Sequence, residues 1–336
     1  MKPSTLLKLA GTTVGLALAS RLLAQPSYDL KDKVVLITGG SRGLGLVLAR
    51  EFQKRGAKVA ICARDAEELL RAESDLQSHG EAFAAQCDVT NKNSVEEMVD
   101  LVYERYGQID VLVNNAGIIQ VGPLEVMTPV DFQRAMDTHF WGPLNTILAV
   151  LPMMKQQGGG RIINISSVGG KIAVPHMIPY SASKFALVGL SKGLRAELAK
   201  DGIAVTTVCP GLMRTGSPRN ADFKGNQQAE YAWFSISDSL PFTSIQAERA
   251  ARQIVRACIN GRAELVISIQ AKTAVLLDQL FGEKSAELMS LVNKMLPDGN
   301  GFGVKTAKGR DSTSAWSPSL LTVLSEKAAL RNNEIQ

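Results

Sequence analysis

The sequence predicts an α/β fold in which a doubly wound parallel sheet is flanked by helices. A β-branched apolar run at residues 33–38 enters a glycine-rich turn, and a helical pattern follows up to residue 55. Short apolar runs and helical patterns then alternate up to about residue 269. Such alternation produces right-handed βαβ units, so the strands should be parallel. Amphipathic patterns beyond residue 270 predict a helical C-terminal extension.

Each predicted element rests on its own pattern. Apolar runs bounded by turn residues predict strands at residues 33–38, 58–63, 82–87, 110–113, 161–165, 203–208 and 263–268. Apolar residues at helical spacing predict helices at residues 46–55, 66–79, 94–106, 129–157 and 247–260. We therefore assign residues 30–270 to the α/β domain and residues 271–336 to the extension.

Composition places the chain among globular proteins. With 45% hydrophobic and 21% charged residues, its 336 residues can bury a substantial core. The net charge of +5 is spread without a Lys/Arg block, so we expect no nucleic-acid partner. The cysteines lie far apart, which favours buried, reduced thiols of a cytoplasmic protein over disulfides or a metal site. They are Cys62, Cys87, Cys209 and Cys258.

The N-terminal segment, residues 1–25, is basic at its start and then apolar, and three interpretations compete. It partly fits a secretory signal. Its uncharged run is short for a spanning helix, and it also suits a helix lying on a membrane surface. Export conflicts with the reduced-thiol pattern. We therefore expect residues 1–29 to be a membrane-associated or dispensable leader outside the fold.

The glycine-rich turn after the first strand predicts a site for a phosphate group. Glycines let the backbone approach a pyrophosphate, and the next helix offers free N–H groups and the positive end of its dipole. The position between a strand and a helix makes the motif specific, although a tight turn without a ligand is the alternative. The candidate binding residues are Gly39, Ser41, Arg42, Gly43, Leu44 and Gly45.

Two cations near this turn indicate which dinucleotide is preferred. NAD is usually held by an acidic residue at the end of the second strand, but Ala63 and Arg64 occupy that place. An arginine suits a 2′-phosphate, and Arg42 adds a second cation. The sequence therefore predicts NADP(H) as the cofactor.

Tyr180 and Lys184 are four residues apart, on one face of a predicted helix. A free tyrosine has a pKa of about 10, and a neighbouring cation lowers it. Such a tyrosine can give a proton to a carbonyl oxygen or take one from an alcohol. By itself the pair is a weak signal, because a solvated lysine beside a half-buried tyrosine is common.

Six motifs follow one another along the chain and together carry a resemblance. They are Thr38-Gly-Gly-Ser-Arg-Gly-Leu-Gly45, Asp88-Val89, Asn114-Asn-Ala-Gly117, Ser167, Tyr180-x-x-x-Lys184 and Cys209-Pro-Gly-Leu-Met-Arg-Thr215. In this order and spacing the chain resembles the short-chain dehydrogenase/reductase family, over about residues 30–269. It most resembles the single-domain oxidoreductases, since the epimerase-type relatives space their glycines differently. The resemblance implies a Rossmann-type fold.

The resemblance also implies roles. Tyr180 would be the acid/base, Lys184 would bond the nicotinamide ribose and lower the Tyr180 pKa, and Ser167 would orient the substrate carbonyl. The other implied cofactor contacts are Asp88 and Val89 at the adenine, Asn114, Ala116 and Gly117 along the adenosine and ribose, and Pro210, Gly211 and Thr215 around the nicotinamide. In the family, the helix at residues 129–157 and the helix that carries Tyr180 pack between subunits. The resemblance therefore implies a homodimer or homotetramer.

His139 departs from the family pattern, which usually has an asparagine at this position. The family asparagine helps to hold a water in a proton relay to the lysine, largely through its main-chain carbonyl. His139 either keeps that carbonyl in place as a tolerated substitution or adds a titratable group to the relay. It is therefore a candidate catalytic residue.

Residues 215–243 form a long segment that is first polar and then aromatic, with Tyr231, Trp233 and Phe234. The segment is either a lid over a bulky, apolar substrate or a surface pair of helices whose aromatic rings pack into the core. The extension continues as amphipathic helices at residues 271–296, a flexible Gly/Ser/Thr-rich linker at residues 297–318 and a short helix at residues 320–330.

We therefore expect an NADP(H)-dependent oxidoreductase. It would interconvert a hydrophobic carbonyl compound, either a ketone or an aldehyde, and the corresponding alcohol. A hypothesis from another class is a dinucleotide-binding redox sensor or scaffold without turnover, which His139 alone supports. A third is a nucleotide-sugar epimerase or dehydratase, which the glycine spacing disfavours. The expected partners are the small-molecule substrate and, from the resemblance, further copies of the chain.

Overall fold

The computed structural model describes residues 27–299 and 303–335. At its centre is a seven-stranded parallel sheet. Its strands are β1 (Val34–Thr38), β2 (Lys58–Ala63), β3 (Ala82–Gln86), β4 (Val111–Asn114), β5 (Gly160–Ile165), β6 (Ile203–Pro210) and β7 (Glu264–Ile267). Their order in space is β7-β6-β5-β4-β1-β2-β3. The predicted doubly wound parallel sheet is confirmed, and its order reverses beside β1, where ligands bind in such sheets.

Helices cover both faces of the sheet. They are α1 (Gly43–Gln53), α2 (Ala66–Gln77), α3 (Lys92–Tyr106), α4 (Pro129–Met136), α5 (Gly142–Gln156), α6 (Ile178–Leu198), α7 (Gln227–Ser239), α8 (Ala247–Ile259), α9 (Ile269–Leu280), α10 (Gly282–Asn293) and α11 (Val323–Arg331). The single helix predicted at residues 129–157 is divided by a π-helical turn at Asp137–Trp141, which the helical periodicity alone does not reveal.

The core lies in two layers, one on each face of the sheet. Side chains alternate along β1, so that Val35 and Ile37 pack towards α1, α2 and α8, whereas Val34 and Leu36 pack towards α3 and α5. Burial on both faces explains why the strands read as continuous apolar runs. The cysteines are buried and free, as predicted.

A third cluster settles the position of the aromatic side chains of residues 215–243. Tyr231 and Phe234 are buried with Phe223, Val121 and Met177. Tyr231 and Phe234 therefore belong to a core, as the second of the two interpretations expected, whereas Phe242, the last aromatic residue of the segment, is 87% exposed.

The C-terminal extension is bound to the α/β domain. Residues 303–318 belong to the segment whose composition predicted a flexible linker, but Ala307–Lys308 pairs antiparallel with the short strand Asp222–Phe223. The Ser317 and Ser235 hydroxyls share a buried hydrogen bond of 2.7 Å. Backbone pairing and buried polar contacts thus hold a sequence that looks flexible from its composition.

The predicted leader falls largely on residues 1–26, which lie outside the described residues. Within residues 27–299 and 303–335, no helix has both the length and the apolar character needed to cross a membrane.

Candidate active site

The carboxyl ends of the central strands open into a cleft of about 570 Å³. The sheet brings together site residues that are far apart in the sequence. The predicted residues that line the cleft are Gly39, Ser41, Arg42, Gly43, Leu44, Arg64, Asp88, Val89, Ala116, Gly117, His139, Tyr180, Lys184 and Thr215.

The glycine turn forms the floor of one end of the cleft. Gly39 has a φ of +62°, and a Cβ there would lie 2.8 Å from the Ala116 Cα. Arg42 occupies the N-cap position of α1 without a capping side-chain bond, and the first turn holds no acidic residue. This glycine cradle and the positive helix end fit the diphosphate of a dinucleotide.

The two predicted phosphate cations differ in their surroundings. The Arg42 guanidinium donates to Glu68 Oε1 at 2.7 Å, and its Nε lies 3.5 Å from Glu334 Oε2. Arg64 is exposed at the end of β2 and lines the cleft. The neighbouring Asp65 caps α2 by accepting from the Glu68 N–H at 2.8 Å. Arg64 is therefore the better placed of the two arginines for a 2′-phosphate.

Tyr180 and Lys184 project from consecutive turns at the start of α6. Ser167 and the Tyr180 ring both lie against Gly169, where a Cβ would be 3.5 Å from Ser167 Oγ and 3.2 Å from Tyr180 Cε1, and the Ser167 hydroxyl accepts from the Gly169 N–H at 3.0 Å. Lys184 is buried, and its Nζ donates to Ile165 O at 2.9 Å and lies 5.6 Å from the centre of the Tyr180 ring. The three predicted catalytic residues thus meet at one point.

Burial dominates the electrostatics of this group. It raises the pKa of Tyr180, and the Ser167 hydrogen bond opposes that rise. Burial also lowers the pKa of Lys184 to about 7. The Lys184 Nζ points to Ile165 O, so the lowering of the Tyr180 pKa by Lys184 stays a prediction.

His139 is held in the neutral form by its hydrogen bonds. Its Nε2 accepts from the Ile118 N–H at 3.1 Å, so Nδ1 carries the proton and donates to the Ser183 hydroxyl at 2.8 Å. Ser183 in turn donates to Tyr180 O at 2.8 Å. Burial, followed by the Lys184 charge, keeps the His139 pKa well below its usual value. The side chain ties the π turn to α6 through these hydrogen bonds.

Comparison with known proteins gives the family. A family model described as short chain dehydrogenase matches residues 33–224. The chain belongs to this family. It is 42% identical over 187 residues to a "Putative ketoacyl reductase" of Streptomyces coelicolor, covering 55% of this chain and 72% of the relative. It is 32% identical over 286 residues to "Dehydrogenase/reductase SDR family member 7B" of Danio rerio, covering 81% and 90%.

A solved structure supports the same assignment. The actinorhodin polyketide ketoreductase with NADPH is 34% identical, has a TM-score of 0.64 and covers 70% of this chain and 95% of its own. As a member of the short-chain dehydrogenase family, the protein is an oxidoreductase of carbonyl and alcohol groups with an NAD(P)-binding fold.

Some residues expected to contact the cofactor instead support those that line the cleft. Asn114 is buried and accepts from Thr146 Oγ1 at 2.6 Å, while its amide donates to Asn164 Oδ1 at 2.9 Å. Asn115 lines the cleft in its place, and its amide braces the glycine turn by donating to Gly39 O at 2.9 Å. Gly45 in the first turn of α1, Pro210 at the end of β6 and Gly211 after it do not line the cleft, and neither does Ser167.

The sequence reasoning missed several charged or polar side chains in the cleft wall. They are Glu68, Asn220, Asp222, Lys308, Arg310 and Glu334. None belongs to a motif, and most come from segments that reach the cleft by tertiary packing. Lys308, for example, is held there by a 2.7 Å ion pair with Asp222.

Proposed function

We propose that the protein is an NADP(H)-dependent carbonyl reductase whose substrate is a hydrophobic ketone or aldehyde. The observation that carries this proposal is the grouping of Tyr180 with Ser167 and the buried Lys184, because Tyr180 and Lys184 line the same cleft as the glycine turn. A proton donor, an orienting hydroxyl and a phosphate site are the parts that such a reduction needs.

Different residues of the cleft would bind different parts of the cofactor. The first turn of α1 would hold the diphosphate, Arg64 the 2′-phosphate, Asp88 the adenine and Thr215 the nicotinamide end. Lys184 would bond the nicotinamide ribose. When bound, the nicotinamide supplies or accepts the hydride.

In the reduction, the protein itself supplies a proton from Tyr180 to the carbonyl oxygen. The raised pKa of Tyr180 keeps its phenol protonated at neutral pH, so it can donate to the carbonyl oxygen. The Ser167 hydroxyl donates a second hydrogen bond to that oxygen, where negative charge develops, and thereby stabilises the transition state. The oxygen takes the Tyr180 proton and the carbonyl becomes an alcohol.

The preference for a hydrophobic substrate rests on the cleft wall and on the relatives. Ile118, Ile119 and Met213 line the cleft. One relative is named as a ketoacyl reductase and one solved structure as a polyketide ketoreductase, and both names describe ketone reduction.

Assembly through α5 and α6 is part of the proposal. Leu148 on α5 and Phe185 on α6 are 55% and 43% exposed, as is Trp141 at 47% just before α5, and exposed large apolar side chains favour contact with another subunit. We therefore propose a cytoplasmic homodimer or homotetramer, with membrane association through residues 1–29.

The test is NADPH oxidation, followed by absorbance, with aldehydes and ketones of increasing chain length. Tyr180→Phe should lower kcat about 10²- to 10⁴-fold while NADPH still binds, and Tyr103→Phe, an exposed tyrosine on α3, should behave as the wild type. Turnover that survives in Tyr180→Phe contradicts the assignment. Tight NADPH binding without turnover on any compound favours the redox sensor.

A further inference from the structure

Residues that follow α11 reach the cleft at the glycine turn. Residues 332–335, called here the tail, follow directly after α11. The Gly43 N–H, at the start of α1, donates to Asn332 O at 2.8 Å. The Asn332 amide donates to Thr215 O at 3.2 Å. The tail therefore bridges the phosphate end of the cleft and the loop after β6.

Glu334 brings a carboxylate onto the glycine turn. A Cβ built on Gly43 would lie 2.5 Å from Glu334 Oε1, so this oxygen sits against the open face of the glycine. Glu334 Oε2 accepts from the Asn220 amide at 2.6 Å and lies 3.5 Å from Arg42 Nε. The side chain is 3% exposed.

Asn333 fixes the tail on the outer side of the turn. Its amide donates to Ser41 O at 2.9 Å and to Glu68 O at 3.0 Å. Its φ is +56°, a left-handed conformation that asparagine tolerates better than most residues. The hydrogen bonds of Asn332, Asn333 and Glu334 together cover the backbone of the glycine turn.

The tail uses the features that would bind a dinucleotide. A helix N-terminus with a neighbouring arginine attracts an anion, and a carboxylate and a phosphate satisfy the same donors. Gly43 leaves room for one such group against its Cα, and Glu334 Oε1 takes that room. Two anions at this position would also repel each other.

We propose that the tail is a built-in competitor of the cofactor, in which Glu334 occupies the diphosphate position until the dinucleotide displaces it. This inference rests on the proposed function, since it assumes that the glycine turn binds the diphosphate. It assigns the protein a closed state, with the tail on Gly43, and an open state that binds NADPH or NADH.

The contacts of α11 show which part has to move. Arg219 donates to Glu326 at 2.6 Å, and Ser325 donates to Asp238 Oδ2 at 3.0 Å, so α11 is anchored away from the glycine turn. The tail itself is held mainly by the hydrogen bonds of Asn332, Asn333 and Glu334. Opening therefore requires displacement of residues 332–335 while α11 stays in place.

The experiment compares the dissociation constants of NADPH and NADH in the full chain, in a variant that ends after Arg331, and in Asn333→Ala. The apparent Kd is the intrinsic value divided by the fraction of open protein. Removing the tail should therefore tighten both cofactors by a similar factor, at least about threefold, with a smaller effect in Asn333→Ala. Lys327→Ala, an exposed position on α11, is the control and should bind as the wild type does.

Hydrogen–deuterium exchange of the full chain gives a second readout. Saturating NADPH should speed exchange in residues 332–335 and leave α11 protected. Equal Kd values in all variants, or weaker binding after truncation, overturn the competitor and leave the reductase proposal standing, because the assay uses no substrate. If neither the full chain nor the truncated chain binds either dinucleotide, both proposals are wrong.

Discussion

His139 Nδ1 lies 2.8 Å from the Ser183 hydroxyl, and this hydrogen bond joins the π turn to the helix that carries Tyr180. The donors run in one direction, from the Ile118 N–H through His139 and Ser183 to Tyr180 O. His139 Nδ1 already carries a proton, and Nε2 accepts the Ile118 N–H, so the imidazole has no vacant position for a second proton. His139 is therefore a positioning residue for Tyr180.

Replacing His139 by leucine removes this connection. His139→Leu leaves the buried Ile118 N–H without an acceptor, and the free energy of unfolding should fall by about 1–3 kcal/mol in urea denaturation. The value of kcat should fall because Tyr180 is less well held, but the pH profile of kcat should keep its shape. Loss of one limb of that profile would instead identify His139 as an acid/base. His79→Leu, at an exposed histidine, is the matched control.

Lys184 should make stability depend on pH. Its pKa is about 7 in the folded protein against 10.5 normally, so the unfolded chain binds more protons between these values. The free energy of unfolding therefore increases as pH rises above about 7. This increase is lost as pH falls through about 7. In Lys184→Met, the slope of unfolding free energy against pH should be lower by up to about 1.4 kcal/mol per pH unit.

Denaturation at pH 7, 8 and 9 measures that slope. Lys200→Met, at an exposed lysine, should retain the wild-type slope. Equal slopes in wild type and Lys184→Met would show that Lys184 keeps an ordinary pKa. Turnover should be lost in Lys184→Met whatever its stability, because the variant cannot bond the nicotinamide ribose.

Arg64 should decide the preference between the two cofactors. Arg64→Asp removes the cation at the end of β2 and adds a like charge, so the NADPH Kd should rise at least about tenfold while the NADH Kd changes little. Arg42→Gln should change the NADPH Kd less, because Arg42 is already paired with Glu68. Arg105→Asp, a distant exposed position, is the charge-matched control. An unchanged NADPH Kd in Arg64→Asp would contradict the NADP(H) assignment.

The parts that the sequence predicts are those with a local signal. The β1–turn–α1 unit follows from a β-branched run that ends in glycines, and Tyr180 and Lys184 share a face because four residues make about one helical turn. The parallel direction of the strands follows from the alternation of strands and helices, whereas the strand order comes from the structure.

The parts that it does not predict depend on packing between distant segments. Whether Asn114 or Asn115 faces the cleft depends on where β4 ends, since side chains alternate along a strand. The π turn depends on how His139 fits against Ser183. Glu334 has no recognisable motif, and it reaches Gly43 because α11 packs against α7.

Acidity should favour the closed state of the tail. Burial raises the pKa of Glu334 to about 7 from 4.5, against the lowering effect of Arg42 and the Asn220 hydrogen bond, while Glu68 raises it further. Lys308 and Arg310 line the same cleft. The docked carboxyl thus binds its proton more tightly than the free one, so docking is strongest below about pH 4.5 and weakens as pH rises through about 7.

Asp238 on α7 accepts from Ser325 of α11, which stays in place when the tail opens, so its titration is common to the full and truncated chains. Burial raises its pKa to about 7 from 3.8. Between pH 5.5 and about pH 8, the NADPH Kd should therefore decrease more for the full chain than for the chain ending after Arg331. The truncated chain is the control, because the cofactor phosphate and Lys184 titrate in both proteins. Glu334→Gln does not titrate, so its curve should run parallel to that of the truncated chain. Parallel curves for the full and truncated chains would show that Glu334 does not titrate in the cleft.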